Sequence, residues 1–367
     1  MPIPEDDKAA TSKAFTKVQQ LAKSINLEDP ASSPGAKELD QLTLQEYCIR
    51  TFESEFVTSL FNRISRSLLG LDSDEISLLS FVYYCKSGTG INALLSSRKN
   101  GAQYIRLREG TQTFSTNMAK ELSPGSLYLS TPAAEIKQCS TSGQCTVVSS
   151  TGRCFTAKKV ILSVPSPLYS TIRFDPPLPE SKQSLAQSNR LGYYSKIIFV
   201  FDTPWWREAG FSGSTQASDG PIEFTVDTSI SDDAQWSISC FIVGQRGRKW
   251  SQLSETERRR SAWEQLCASF QGAKAVSGKD FSIPEPINVL EYEWIKQDYF
   301  RGAPCPVAPP GLLCSIDGSA SRAPFGSVHF VGTETSLEWK GYMEGAVRSG
   351  DRGAREVITV LKPGAEF

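Results

Sequence analysis

Chemistry has few places to start in this chain. Its 367 residues include one histidine, His329, and nine cysteines, none of them in a C-x-x-C pair. A Ser-His-Asp triad would have to be built on His329, and a zinc site lacks its usual ligand spacing. His329 lies inside an apolar run (328–331) and reads first as a strand residue. Lys196 is a sharper candidate. It heads the run Ile197-Ile198-Phe199-Val200-Phe201, where burial would depress the pKa of its amine and make it a base or a holder of water. The plain alternative is a strand-end lysine whose ammonium reaches solvent. A third place is residues 327–357: a strand, the turn Gly332-Thr333-Glu334-Thr335, and a helix opening at Gly341-Tyr342-Met343-Glu344-Gly345. Such an arrangement aims unpaired N–H groups, with the helix dipole behind them, at a group that gains negative charge. The helix also carries Gly345, Gly350 and Gly353, each costing about 1 kcal/mol relative to alanine. Something must therefore approach its backbone closely, either a flat ligand or a sheet packed beneath it. Redox chemistry borrowed from a cofactor fits this residue set.

The elements that must position these residues follow from patterning. The first third reads as helical. Capping boxes are expected at Thr43-x-x-Glu46 and Asp72-x-x-Glu75, with a linker at Asp29-Pro30-Ala31-Ser32-Ser33-Pro34-Gly35. Near Tyr104 the texture changes, and short strands (128–130, 134–137, 145–149, 153–156 and 160–164) separated by glycine turns are expected. Further strands are expected at 197–201, 222–226, 236–243, 289–292 and 328–331, and a helix at 255–270. The run Arg258-Arg259-Arg260 follows the capping box Ser254-x-x-Glu257 and is expected on a solvated helix face. Elements that return to one another from distant parts of the chain suggest two interleaved domains.

Composition sets bounds. Lys plus Arg (39) nearly balance Asp plus Glu (40), which gives no reason to expect nucleic acid or an anionic membrane as a partner. No apolar run approaches the roughly 20 residues that span a bilayer. Scattered cysteines, odd in number, point to reduced thiols inside a cell, and no secretory leader pattern is visible. A soluble intracellular protein, cytoplasmic or peroxisomal, is expected.

The stretch Gly332-Thr333-Glu334-Thr335, with Gly341-Tyr342-Met343-Glu344-Gly345-Ala346-Val347 after Trp339, closely resembles the C-terminal flavin motif of the FAD-dependent amine oxidases. The match is nearest to monoamine oxidases, particularly fungal ones. Residues 106–179, with Ser163-Val164-Pro165 and Phe174-Asp175-Pro176-Pro177-Leu178-Pro179, are similar to the middle FAD-domain segment of that family. The resemblance implies an α/β (mixed α+β) amine-oxidase fold, a truncated FAD domain interleaved with a substrate domain of sheet and helices. The implied division is 1–108 (helical part of the substrate domain), 109–185 (middle FAD segment), 186–297 (substrate sheet and helix) and 298–367 (C-terminal flavin motif). No G-x-G-x-x-G follows a strand in these 367 residues. The N-terminal βαβ unit that would seat the pyrophosphate is therefore read as missing.

Site roles also come from the resemblance. Ser195-Lys196-Ile197, followed by Phe201-x-x-Pro204-Trp205-Trp206, resembles the segment whose lysine holds a water against the flavin. Tyr342 matches an aromatic wall that faces the flavin and guides the amine. Ala133, Trp294, Gly332, Thr333, Glu334, Gly341 and Met343 match cofactor contacts. Where animal enzymes link the flavin through cysteine, this chain reads Ala303-Pro304, so the FAD is expected to be non-covalent; Cys305 lies two residues on. The implied activity is oxidative deamination of a primary or secondary amine, with O2 reduced to H2O2. Its partners would be a small-molecule amine and O2, with a homodimer left open. Two alternatives stand: a polyamine oxidase, or a non-catalytic relic or fragment that binds FAD poorly.

Overall fold

The computed structural model describes residues 3–271 and 280–362. Strands of three or more residues are, in chain order, β1 (Ala133–Gln138), β2 (Cys145–Ser149), β3 (Cys154–Ala157), β4 (Val160–Leu162) and β5 (Arg173–Asp175). There follow β6 (Tyr194–Phe201), β7 (Phe224–Asp227), β8 (Trp236–Val243), β9 (Asn288–Glu293) and β10 (Val328–Phe330). The chain divides into two compact units, each assembled from separated segments.

The first unit comprises Met1–Ser12, Leu44–Ile76 and Leu191–Val307. Its centre is an antiparallel sheet in the order β9-β6-β8-β7. Alternation along β6 decides its two faces. Ile197, Phe199 and Phe201 point into a core with Trp205, Trp206, Ile238, Cys240 and Ile242, covered by Ala262, Leu266 and Phe270 of helix Glu255–Gln271. Period-two burial of this kind is what a half-covered sheet requires. The capping box at Ser254 and Glu257 forms as its sequence suggests, each side chain accepting from the other's backbone N–H. The arginine run behaves differently from its expectation. Arg260 is exposed, but Arg258 turns under the sheet, 2.6 Å from Glu291 and 3.5 Å from Glu293. Those two acids lie on the core-side face of β9, and a buried carboxylate must be paired.

The second unit comprises Lys13–Thr43, Ser77–Arg190 and Ala308–Phe367. It holds a sheet in the order β3-β2-β1-β5, in which β5 runs parallel to β1, and a separate parallel pair, β10 with β4. Their shared core includes Ile136, Leu162, Tyr169, Val328 and Phe330. Helix Met343–Leu361 packs on the pair through small residues. A Cβ at Gly353 would collide with the Val331 side chain, and one at Gly345 with the Trp339 carbonyl. Two of the three costly glycines are thus explained by close approach; Gly350 has open space around it.

Two local expectations are corrected. Residues 128–130 form a turn, not a strand. Glu75 does accept from the Asp72 N–H, but this closes a turn. The helix Leu78–Ser87 starts later, where the Ser77 hydroxyl accepts from the Ser80 N–H.

Candidate active site

In the second unit, β4 and β10 end side by side, and each runs into a tight turn: Ser166–Thr171 after β4 and Thr333–Thr335 after β10. Carboxyl ends of parallel strands are where α/β folds seat ligands. Gly332 has φ +115, a conformation closed to side-chain-bearing residues, and a Cβ there would meet nothing nearer than 3.5 Å. The position is an open cradle. Its N–H donates to Ser349 Oγ at 3.0 Å, and Thr333 Oγ1 donates to the Tyr342 carbonyl at 2.8 Å, tying the turn to the helix start.

That helix is 19 residues long, and no side chain caps its beginning. Met343, its first residue, is 48% exposed. Uncapped N–H groups backed by a long helix favour an anionic partner. The loop before it is stitched to the end of helix Leu78–Ser87. Trp339 N–H donates to the Ser87 carbonyl at 2.9 Å and Lys340 N–H to Ser87 Oγ at 2.8 Å. Two residues here hold positive φ, Gly341 (+84) and Trp339 (+54), and the second is a strained state for a tryptophan. Tyr342 stacks on Tyr84, centroids 6.3 Å apart, and meets Trp339 edge-on at 5.6 Å.

Glu334 is buried with its carboxylate turned inward. Oε1 accepts from the Ser166 N–H at 2.6 Å and Oε2 from the Ser166 hydroxyl at 2.9 Å. Burial raises its pKa, and the charge of Lys340 and these Ser166 bonds pull the other way. Ala133 opens β1 beside an irregularity in its pairing with β2. His329, inside β10, is buried with Nδ1 2.9 Å from Glu356.

In the first unit, Lys196 is the third residue of β6 rather than its head, on the face opposite the core. Its register partners are Phe241 on β8 and Tyr292 on β9. The ammonium lies 5.0 Å from the Phe241 ring centroid, and Phe241 stacks on Phe224 at 4.3 Å. Lys196 is exposed, as the plain alternative of a lysine reaching solvent allows, and partial desolvation beside these rings lowers its pKa. Trp294 packs between Tyr292 (4.7 Å) and Phe300 (4.9 Å). Lys196 and Trp294 therefore belong to one aromatic sheet face. Gly332, Thr333, Glu334, Gly341, Tyr342 and Met343 belong to one turn-and-helix constellation, and Ala133 lies in the same unit as these.

The pattern that describes flavin-containing amine oxidoreductases matches residues 7–358. The chain belongs to that family. It is 30% identical over 345 residues to the Dictyostelium discoideum protein named probable flavin-containing monoamine oxidase A, covering 94% of this chain and 73% of that one. Among solved structures, wild-type putrescine oxidase bound to putrescine superposes with a TM-score of 0.86 at 26% identity, over 98% of this chain and 77% of that one. Cyclohexylamine oxidase from Brevibacterium oxydans gives 0.86 at 29% identity, over 99% and 77%. The fold is that of the flavin amine oxidases, and the chain is an oxidoreductase of the class acting on CH–NH2 groups. Among the described residues no helix is long and apolar enough to cross a membrane.

A flavin is the group this family requires, and the residues fit one. The Gly332 cradle is open, and an uncapped helix N-terminus stands beside it, joined through Thr333. Sequence reasoning missed Ser166, Lys182, Tyr84 and Trp339. Ser166 left a faint signal, a serine between two prolines at a strand end. The left-handed backbone of Trp339 and the burial of Lys182 left none.

Proposed function

We propose that this chain contributes to a non-covalent FAD enzyme that oxidatively deaminates a monoamine with an apolar body. The observation that carries the substrate class is the parity of β9. Tyr292 lies on the Lys196 side with Phe241 and Phe224, whereas Glu291 and Glu293 face Arg258 on the other side. A polycationic amine needs carboxylates along its path. This face offers aromatic rings and a lysine, which disfavour a second positive charge and favour the neutral amine.

A bound FAD would supply the two-electron acceptor for the C–H bond beside the amine, with O2 as the final oxidant. One amine, one O2 and one water give one carbonyl compound, one ammonia or smaller amine, and one peroxide. Lys196, its pKa lowered among rings, holds a water and exchanges a proton with it at Nζ. Tyr342, fixed by Tyr84 and Trp339, forms an aromatic wall that orients the amine. Gly332, Thr333, Gly341 and the Met343 N–H hold the cofactor, and the helix start favours its negative charge. Ala133 through its backbone, Trp294 and Glu334 complete the proposed set, Glu334 from within the protein. Non-covalent attachment is supported by Ala303, which cannot form a thioether, and by Cys305, which is 1% exposed.

The test is titration of the purified chain with FAD, followed by peroxide release with an arylalkylamine and with a linear polyamine. Flavin should be released by acid, the arylalkylamine should be preferred, and Lys196→Met should keep the flavin while slowing its reduction or reoxidation at least tenfold. Faster turnover of the polyamine would reverse the substrate reading. A flavin adduct on the denatured chain would reverse the attachment.

A further inference from the structure

The carboxylate of Glu334 is 5% exposed at the residue level and makes both of its hydrogen bonds to one residue, Ser166. Ser166 opens the turn after β4, and Glu334 is the middle residue of the turn after β10. One side chain thus ties together the carboxyl ends of two adjacent parallel strands. Both partners are held from behind. Asn189 Nδ2 donates to Ser166 Oγ at 3.0 Å, and Lys340 Nζ donates to the Glu334 carbonyl. Lys182, 2% exposed, places its ammonium 3.6 Å from the Phe330 ring centroid and donates to the Ala320 carbonyl at 2.7 Å. Its charge favours the ionised Glu334. At the two ends of the turn, Thr333 Oγ1 donates to the Tyr342 carbonyl, and Arg352 donates to Thr335 Oγ1 at 3.0 Å.

Isolated buried carboxylates are costly. This one is retained where three separate segments must meet: the end of β4, the end of β10 and the start of helix Met343–Leu361. An apolar side chain at 334 would fill the same space but would leave the Ser166 N–H without its acceptor. A bidentate carboxylate also fixes direction, which packing alone does not.

We infer that Ser166 and Glu334 form a positioning clamp that sets the Gly332 cradle and the helix start at Met343 in the arrangement that receives the flavin. The inference rests on the FAD reading above and deepens it, because the acid works through the turn and not by touching the cofactor. Loosening the clamp frees the 332–343 backbone, and N–H donors that must be ordered at binding hold an anion less well than donors already in place.

Ser166→Ala removes one of the two bonds and leaves the fold of β4 and β10 intact. Amide hydrogen exchange on the chain without added flavin should then speed up at least tenfold across 332–343, with the β1–β3 amides unchanged. FAD titration by fluorescence should show at least tenfold weaker binding. Ser166→Thr, which keeps the hydroxyl, should restore both. Glu334→Gln, which keeps the shape and loses the charge, should fall between. Ser77→Ala is the control: it removes the cap of helix Leu78–Ser87, and it should lower the melting temperature without moving FAD affinity. Unchanged exchange at 332–343 in Ser166→Ala would overturn the clamp. Faster exchange with unchanged affinity would overturn its role toward the flavin. A wild-type chain that takes up no FAD sinks the FAD reading and the cofactor half of this inference, while the exchange data still decide whether the clamp exists.

Discussion

The β6–β9 sheet of the first unit and the open surfaces of the second differ in what they do with apolar side chains. On β6, Ile197, Phe199 and Phe201 are 0, 1 and 2% exposed, closed over by the helix Glu255–Gln271. In the second unit, none of the residues of helix Gln112–Lys120 is buried. Phe114 and Met118 are 49 and 62% exposed, and Ile105 and Leu129 on either side are 77–79% exposed. The helix Met343–Leu361 repeats the theme: its buried residues are Gly345, Ser349 and Gly353, while Val347, Val360 and Leu361 stand open. A single exposed leucine is ordinary, but runs of large apolar residues on neighbouring turns mark surfaces built to be covered. The first unit leaves apolar side chains open too, Leu290, Tyr292 and Phe300 on and beside the Lys196 face, but its helix-covered face is closed. The second unit has a closed core and open apolar surface on helices Gln112–Lys120 and Met343–Leu361.

The largest effects come from treating the two regions alike. Phe199→Ala should destabilise by about 3–5 kcal/mol, the usual result for a buried aromatic. Met118→Ser, removing a comparable apolar volume, should stay within about 0.5 kcal/mol of wild type. Urea unfolding followed by tryptophan fluorescence measures both. A loss of several kcal/mol at Met118 would show that the helix Gln112–Lys120 is already covered in solution, and the contrast would collapse.

A second way to sharpen the contrast is to supply a cover. The 367 residues contain no G-x-G-x-x-G, and phosphate binding at such a loop rests on backbone N–H groups at a helix start. Fusing a strand–helix–strand segment that carries this motif ahead of the chain should lower exchange at residues 103–130 and 343–361. It should also tighten FAD binding at least a hundredfold, about 2.8 kcal/mol. Light scattering should fall in parallel, because exposed apolar patches and open strand edges drive association. Tight stoichiometric FAD binding by the unextended chain, equal to that of the fusion, would mean that the turn and helix described above suffice alone.

How much of this could be read in the residues follows the same division. Strands β2 and β8 have the bounds that alternation and glycine turns suggested, because a half-covered sheet writes its period into the sequence. The turn at 332–335 and the helix start at 341–343 were legible because glycines and a hydroxyl–acid pair are chosen by backbone geometry. Roles decided by three-dimensional packing left less trace. Nothing in the spacing of Arg258 distinguishes it from Arg260, yet one is buried against Glu291 and the other is solvated. Lys182 sits in a polar helix, Glu180–Ser188, with nothing to mark it as buried. Glu334 was visible as a site residue, but which way its carboxylate turns depends on Ser166, 168 residues away in sequence.

The smallest effect concerns that buried lysine, and it separates the two units by how they keep charge. Glu293 in the first unit is hydrogen-bonded to Tyr193 and paired with Lys296 and Arg258. Lys182 in the second unit has a carbonyl and an aromatic ring as its near partners. Desolvation is the largest influence on Lys182 and brings its pKa down from 10.5 to about 8; Glu334 opposes the shift and Arg352 adds to it. The sign follows from proton counting. Between about 8 and 10.5 the unfolded chain holds the Lys182 proton and the folded chain does not, so stability from this group rises with pH across that window. Below pH 8 both states are protonated, and the full cost of burying the charge is present. Lys182→Met removes the titration and keeps most of the packing against Phe330. Wild type should therefore gain on Lys182→Met by about 2 kcal/mol between pH 7 and pH 10, given 1.36 kcal/mol per unit of pKa difference. Differences between the two proteins cancel the tyrosines and cysteines that titrate in the same range. Urea midpoints that shift in parallel over this pH range would show that Lys182 keeps an ordinary pKa, and that its charge is hydrated after all.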